Sequence, residues 1–105
     1  LRTYVRDQRA RGRRLAGYGA GGRGVMTLAA CARPGDFAYV CDQNPSFHGL
    51  YTPGAHVPVV PPQHALQDPV DEMVVFSFGY LDEISRSLAG FRERGGKLVS
   101  LLELL

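Results

Sequence analysis

The clearest capacity for chemistry lies in Leu15-Ala16-Gly17-Tyr18-Gly19-Ala20-Gly21-Gly22-Arg23-Gly24, where the glycines fall as Gly17-x-Gly19-x-x-Gly22. Glycine at such places permits a tight turn and lets bare backbone approach a bound group. Where a helix follows, its first N–H groups lack internal partners and its dipole favours negative charge. A phosphate or diphosphate is the expected occupant. Asp42 stands twenty positions after Gly22, the distance at which a dinucleotide fold keeps the acid that bonds ribose hydroxyls. Arg23 is a cation at the start of the expected helix, where the dipole disfavours one. A neighbouring anion would account for it, and so would a simply solvated side chain. The competing reading of the stretch is a Gly-rich turn that only packs a helix on a strand.

Three ligand classes use such a loop. NAD suits the glycine spacing and Asp42, but a full dinucleotide spans two mononucleotide halves and this chain has room for one. S-adenosylmethionine folds commonly carry an acid two residues before the first glycine, where this chain has Leu15. That counts against this cofactor in this loop. A nucleoside diphosphate or its sugar conjugate fits throughout, with diphosphate on the loop, Arg23 as counter-charge and Asp42 on the ribose. No nucleophile–base pair or paired carboxylates emerge from the spacing. His48, His56 and His64 recur at intervals of eight in loop-like sequence, which is not a zinc pattern. Cys31 and Cys41 read as small core residues of a reducing compartment.

The elements that must position the loop follow from periodicity. A helix is expected over 1–11, with Leu1, Tyr4, Val5 and Gln8 on one face and Gly12 as its stop. A short strand over 13–17 feeds the glycine loop, and a helix over 22–32 leaves it, ended by Arg33-Pro34-Gly35-Asp36. A second strand over 37–41 is apolar almost throughout, as strands buried on both faces are, with Asp42 at its carboxyl end. Residues 43–56 are irregular, and Phe47 and Tyr51 argue that they are ordered and functional. A strand over 57–60 contains Pro58, which cannot donate to a ladder and so belongs at a sheet edge. A short helix is expected near 62–67. The apolar run over 73–78 is the fourth strand. A helix over 80–94 carries Leu81, Ile84, Leu88 and Phe91 on one stripe and stops at Gly95-Gly96, and the fifth strand covers 97–102.

This alternation implies parallel β-α-β units. The expected fold is a Rossmann-like three-layer α/β sandwich with a five-stranded, mainly parallel sheet of order 3-2-1-4-5. The glycine loop, Asp42 and the exit at Phe78-Gly79 then open at one rim. Residues 1–12 read as a leading helix from a preceding domain, and 13–105 as the Rossmann-like domain itself.

Bulk properties agree with one small domain. The chain is 45% hydrophobic and 21% charged, with a formal net charge of +2. Six arginines against Asp7 leave +5 in the first fourteen positions, so the remainder sums to −3. That basic arm has one aromatic, Tyr4, and no nucleic-acid motif, so a solvated helix face or contact with a neighbouring domain is expected rather than nucleic acid. No apolar run approaches the ~20 residues of a membrane span and no secretory signal is visible, so no membrane partner and a cytoplasmic location are expected.

The motif series resembles the C-terminal domain of sugar C-methyltransferases, enzymes that use S-adenosylmethionine to methylate a carbon of a nucleotide-linked deoxysugar. In that family a helix and Gly lead into a strand ending in Gly-Tyr-Gly-Ala, then two small or Pro residues, Lys, Gly and a helix. Here these are Gly12 and Gly17-Tyr18-Gly19-Ala20-Gly21-Gly22-Arg23-Gly24. The family's Asp-x-Asn-Pro turn is Asp42-Gln43-Asn44-Pro45, and its Gly-x-x-x-Pro-Gly-x-His-x-Pro stretch runs from Gly49 to Pro58, with His56. Asp82-Glu83-Ile84 and Gly95-Gly96-Lys97 also match. Two positions depart: the family's Lys is Arg23, and its usual Trp-Asn is Phe78-Gly79.

The resemblance implies a three-part enzyme with an N-terminal zinc-binding domain, a central S-adenosylmethionine domain and this Rossmann-like C-terminal domain. The nucleotide-sugar would lie between the last two, with the acid–base residues in the central one. This domain would then bind and orient substrate rather than perform chemistry. It would hold no cofactor itself, and zinc and S-adenosylmethionine would belong to the full-length enzyme. The implied substrate-binding residues are Gly17, Tyr18, Gly19, Ala20, Gly22, Arg23, Asp42, Asn44, His56 and Phe78. The alternative is a stand-alone nucleotide- or dinucleotide-binding module without catalysis.

Overall fold

A computed structural model describes residues 2–19, 33–52, 54, 56–76, 84, 86 and 88–100. The expected helix over 22–32, the start of the helix over 80–94 and the tail from 101 lie outside the described residues, as do Ala20, Gly22, Arg23, Cys31 and Phe78.

In chain order the elements are α1 (Arg2–Ala10), β1 (Leu15–Tyr18), β2 (Val40–Cys41), a 3-10 turn (Pro45–Phe47), β3 (Val59–Val60), α2 (His64–Gln67), β4 (Glu72–Val75), α3 (Ala89–Glu93) and β5 (Lys97–Ser100). The five strands form one sheet in the order β3-β2-β1-β4-β5, the order expected from the sequence. Every strand pairing in it is parallel. The register sets Tyr18 beside both Cys41 and Val75, so β1, β2 and β4 end level with one another.

Alternation along the central strands builds two cores. Leu15, Val40, Val74 and Phe76 face one side of the sheet, where Val5 of α1 packs with Phe37, Val57 and Val59. Ala16, Tyr18, Cys41, Met73 and Val75 face the other, under Ala65 of α2, Ile84, Leu88 and Phe91 of α3. Sheet strands covered on both faces need apolar residues at every position, and β1 and β4 are buried throughout. α1 reaches the first core through Val5, with Tyr4 packed against it.

One charge is carried into this interior. Glu72 opens β4 at 3% exposure, with Arg13 at 3.7 Å and Lys97 at 4.0 Å. Burial, with the Glu72 carboxylate adding to it, pushes the Tyr4 hydroxyl above its ordinary pKa. Two more arginines of the basic arm also tie elements together. Arg9 bonds Asp36 at 2.8 Å, and Arg14 bonds Asp68 at 2.8 Å and holds that carboxyl below its usual range.

Several expected bounds change in detail: the first strand is Leu15–Tyr18, the third Val59–Val60, the fourth Glu72–Val75 and the short helix His64–Gln67. The second strand was expected over 37–41, but regular pairing covers only Val40–Cys41, although the Ala38 N–H already donates to Leu15 O and Gly17 N–H to Tyr39 O. The irregular stretch 43–56 is ordered in its described part. Gly49 to Thr52 runs antiparallel along the outer side of β3, through Val59 N–H to Leu50 O, Gly49 N–H to Val59 O and a Tyr51–Pro58 bridge. Pro58 takes part in the parallel pairing through its carbonyl, which accepts from Val40 N–H at 2.9 Å. Among the described residues no helix is long and apolar enough to cross a membrane.

Candidate nucleotide site at the carboxyl rim

In a parallel sheet all strands deliver their following residues to the same rim. Gly19 follows β1, Asp42 follows β2, Pro61 follows β3 and Phe76 follows β4. β1 lies between β2 and β4, at the switch point where open α/β sheets bind ligands.

Gly19 has φ +105, a backbone region that a side chain would disfavour. Its N–H donates to Cys41 O at 2.8 Å, which locks the turn against the exit of β2. Asp42 leaves that same exit, its N–H bonded to Val60 O at 3.0 Å. Its Oδ1 accepts the Asn44 N–H at 2.8 Å. The structure therefore brings Gly19 and Asp42 together as the sequence pattern requires.

The other expected residues divide. Gly17 is inside β1 rather than in the turn. A Cβ at this position would lie 2.7 Å from Phe76 Cε2 and 3.4 Å from Val40 Cγ2, so its bareness admits the Phe76 ring. Tyr18 is 4% exposed with its side chain in the second core, and its carbonyl accepts the Phe76 N–H at 2.9 Å. Asn44 sits beside Asp42, and its Oδ1 accepts the Ser46 N–H at 3.0 Å, capping the 3-10 turn. His56 is set apart: it precedes β3 in the Thr52–Val57 hairpin, toward the amino rim, with φ +54 and its ring stacked on Tyr51 at 4.5 Å. Ala20, Gly22, Arg23 and Phe78 lie outside the described residues.

His48 had no evident partner in the sequence. Its Nε2 lies 2.6 Å from the carbonyl oxygen of Asp42. A carbonyl only accepts, so Nε2 carries the proton. The signal available was Asn44-Pro45, a turn former that folds residue 48 back onto 42. Beside this pair a cleft of about 460 Å³ opens, walled by Gln43 and His48, by Pro61 and Pro62 after β3, and by Leu66 and Phe91. A larger groove of about 670 Å³ runs along α1 past Arg2, Arg6 and Arg33. It lies on the α1 side of the sheet and contains none of the motif residues.

Cys41 is fully buried beneath the rim, as its apolar surroundings suggested. Burial, with the nearby Asp42 charge, pushes its thiol up to about 12. The thiolate is the reactive form, so Cys41 is expected to resist Ellman's reagent at pH 8 until urea unfolds the protein, with peptide mapping distinguishing it from Cys31. The raised value favours the protonated thiol of the folded state. That contribution to stability is complete below the unfolded thiol's pKa near 9 and is lost as pH rises toward about 12. Rapid labelling of native Cys41 at pH 8 would contradict its burial.

Among the described residues no group of three or more His, Cys, Asp or Glu side chains is placed to hold a metal ion. Comparison with known proteins gives two findings. Residues 1–102 match the family described as C-methyltransferase C-terminal domain. The C-methyltransferase NovU of Streptomyces niveus is 31% identical over 100 residues, covering 94% of this chain and 24% of that protein. The chain thus spans about a quarter of the length of the curated relative that it matches.

Proposed function

Because this chain belongs to the C-methyltransferase C-terminal domain family, we propose that it is the substrate-binding domain of a C-methyltransferase acting on a nucleotide-linked deoxysugar. It holds the nucleoside diphosphate part at the carboxyl rim, while the preceding domains of the full-length enzyme bring S-adenosylmethionine and the acid–base residues. The observation that carries this reading is the juxtaposition of Gly19, at φ +105, with Asp42 at the adjoining strand end. The diphosphate rests on the loop that follows Gly19, with Arg23 as its counter-charge, and the Asp42 carboxylate takes the ribose hydroxyls. Gly17 and Tyr18 contribute by positioning this loop, and Asn44 by shaping the Asp42 turn. Leu15 supports the separation of roles. It holds the place where S-adenosylmethionine folds commonly carry an acid, and its side chain is 2% exposed in the core. This loop does not fit that cofactor, and zinc likewise belongs to another domain.

Calorimetric titration of the full-length enzyme tests the assignment. Thymidine diphosphate should bind, and NAD should bind more weakly. Hydrogen bonds to charged groups are worth roughly 1.5–3 kcal/mol, and an exposed loop edge favours the lower end. Arg23→Ala should therefore raise the Michaelis constant for the nucleotide-sugar about ten-fold and leave that for S-adenosylmethionine unchanged. Tightest binding by NAD, or a shift in the cofactor constant instead, would sink the assignment.

A further inference from the structure

The cleft beside Asp42 differs from the loop that follows Gly19. None of its lining residues is charged among those described: Gln43, His48 and Gln63 are its polar members, and Pro61, Pro62, Leu66 and Phe91 supply apolar wall. Such a lining rejects a phosphate, which needs cations or a row of N–H donors. It suits a flat heteroaromatic ring that stacks on apolar surface and bonds amides along one edge. Its volume, about 460 Å³, falls within the ~300–1,000 Å³ of small-molecule sites.

Position narrows the occupant. Gln43 is the neighbour of Asp42 in sequence, and the His48 ring is tied to the Asp42 carbonyl at 2.6 Å. In a nucleotide the base and the ribose hydroxyls sit on one five-membered ring, so a ribose held by Asp42 must place its base within a few ångströms. Gln63 is exposed on the first turn after β3 and lines this cleft. An amide offers a donor and an acceptor side by side, the complement of a base edge. Pro61 and Pro62 fix the backbone that presents it.

We propose that this cleft is the nucleobase pocket of the domain, with Gln63 reading the base edge and Leu66 packing against the ring. The inference rests on the nucleoside diphosphate reading above. Its test compares thymidine diphosphate with inorganic pyrophosphate in the full-length enzyme by calorimetry. Leu66→Trp fills the cleft, and Gln63→Leu keeps the size of the exposed side chain while removing its amide, so that folding is safe in at least one variant. Each should weaken thymidine diphosphate ten-fold or more and leave pyrophosphate unchanged. If both variants bind thymidine diphosphate as the unaltered enzyme does, the cleft is not the base pocket, and the diphosphate reading survives. The same conclusion follows if the unaltered enzyme binds pyrophosphate as tightly as thymidine diphosphate. If the unaltered enzyme binds neither, the diphosphate reading falls and the pocket assignment with it.

Discussion

Gly17→Val should destabilise the fold by about 3 kcal/mol or more, whether or not a ligand is present. The first added carbon would stand 2.7 Å from Phe76 Cε2, closer than side-chain carbons pack. Phe76 cannot swing away freely: it is 2% exposed and meets Phe37 edge-on at a centroid distance of 6.0 Å. Gly17 also sits in β1 between β2 and β4, so its own backbone is pinned by ladders on both sides. Valine adds two more carbons to the same space. Gly17→Ala should fall within the ~1–3 kcal/mol usual for overpacking, and Phe76→Leu should restore part of that loss. Urea denaturation of the four members of that cycle reads the coupling. An unchanged midpoint for Gly17→Ala, accompanied by weaker thymidine diphosphate binding, would mean that this glycine serves the ligand rather than the core.

Phe91→Ala should cost about 3–5 kcal/mol, the range for truncating a buried aromatic. Phe91 is 1% exposed and lies in the core between α3 and the sheet. Gly96 lies directly against its ring: a Cβ there would fall 2.3–2.6 Å from Cζ, Cε2 and Cε1. Gly96→Ala should therefore be harmful alone and nearly neutral once Phe91 is alanine. The loss in the double variant should be clearly less than the sum of the single losses. Additive losses would show that Gly96 has another role.

These pairs of glycines mark how far the sequence could be read. Gly95 and Gly19 have φ of +94 and +105, and their places after a helix and after a strand made that backbone need visible in the pattern. Gly17 and Gly96 are bare for a different reason. A ring distant in sequence for Gly17, and five residues back for Gly96, occupies the space of a side chain. Nothing in local spacing announces a close approach made across a core. Neither His48 nor His56 has an evident partner in the sequence, although His56 falls on the Gly49–Pro58 motif. A bond to Asp42 O and a ring stack on Tyr51 send them to different parts of the domain.

The five strands, their order in the sheet and the rim at which Gly19 and Asp42 meet were legible in the chain alone. Periodicity and turn residues act over a few positions, and parallel connections leave few topologies open. The sequence also carried, through its motif series, the family to which the chain belongs. It took the folded chain to show that Glu72 lies buried between Arg13 and Lys97, that Gly49 to Thr52 covers the edge of β3 and that a cleft opens beside Asp42. The buried charge and the cleft depend on segments far apart in the chain arriving at one place, and the edge cover on a hairpin that closes over several residues. Burial and the shape of a cavity are properties of that meeting, and no single segment contains them.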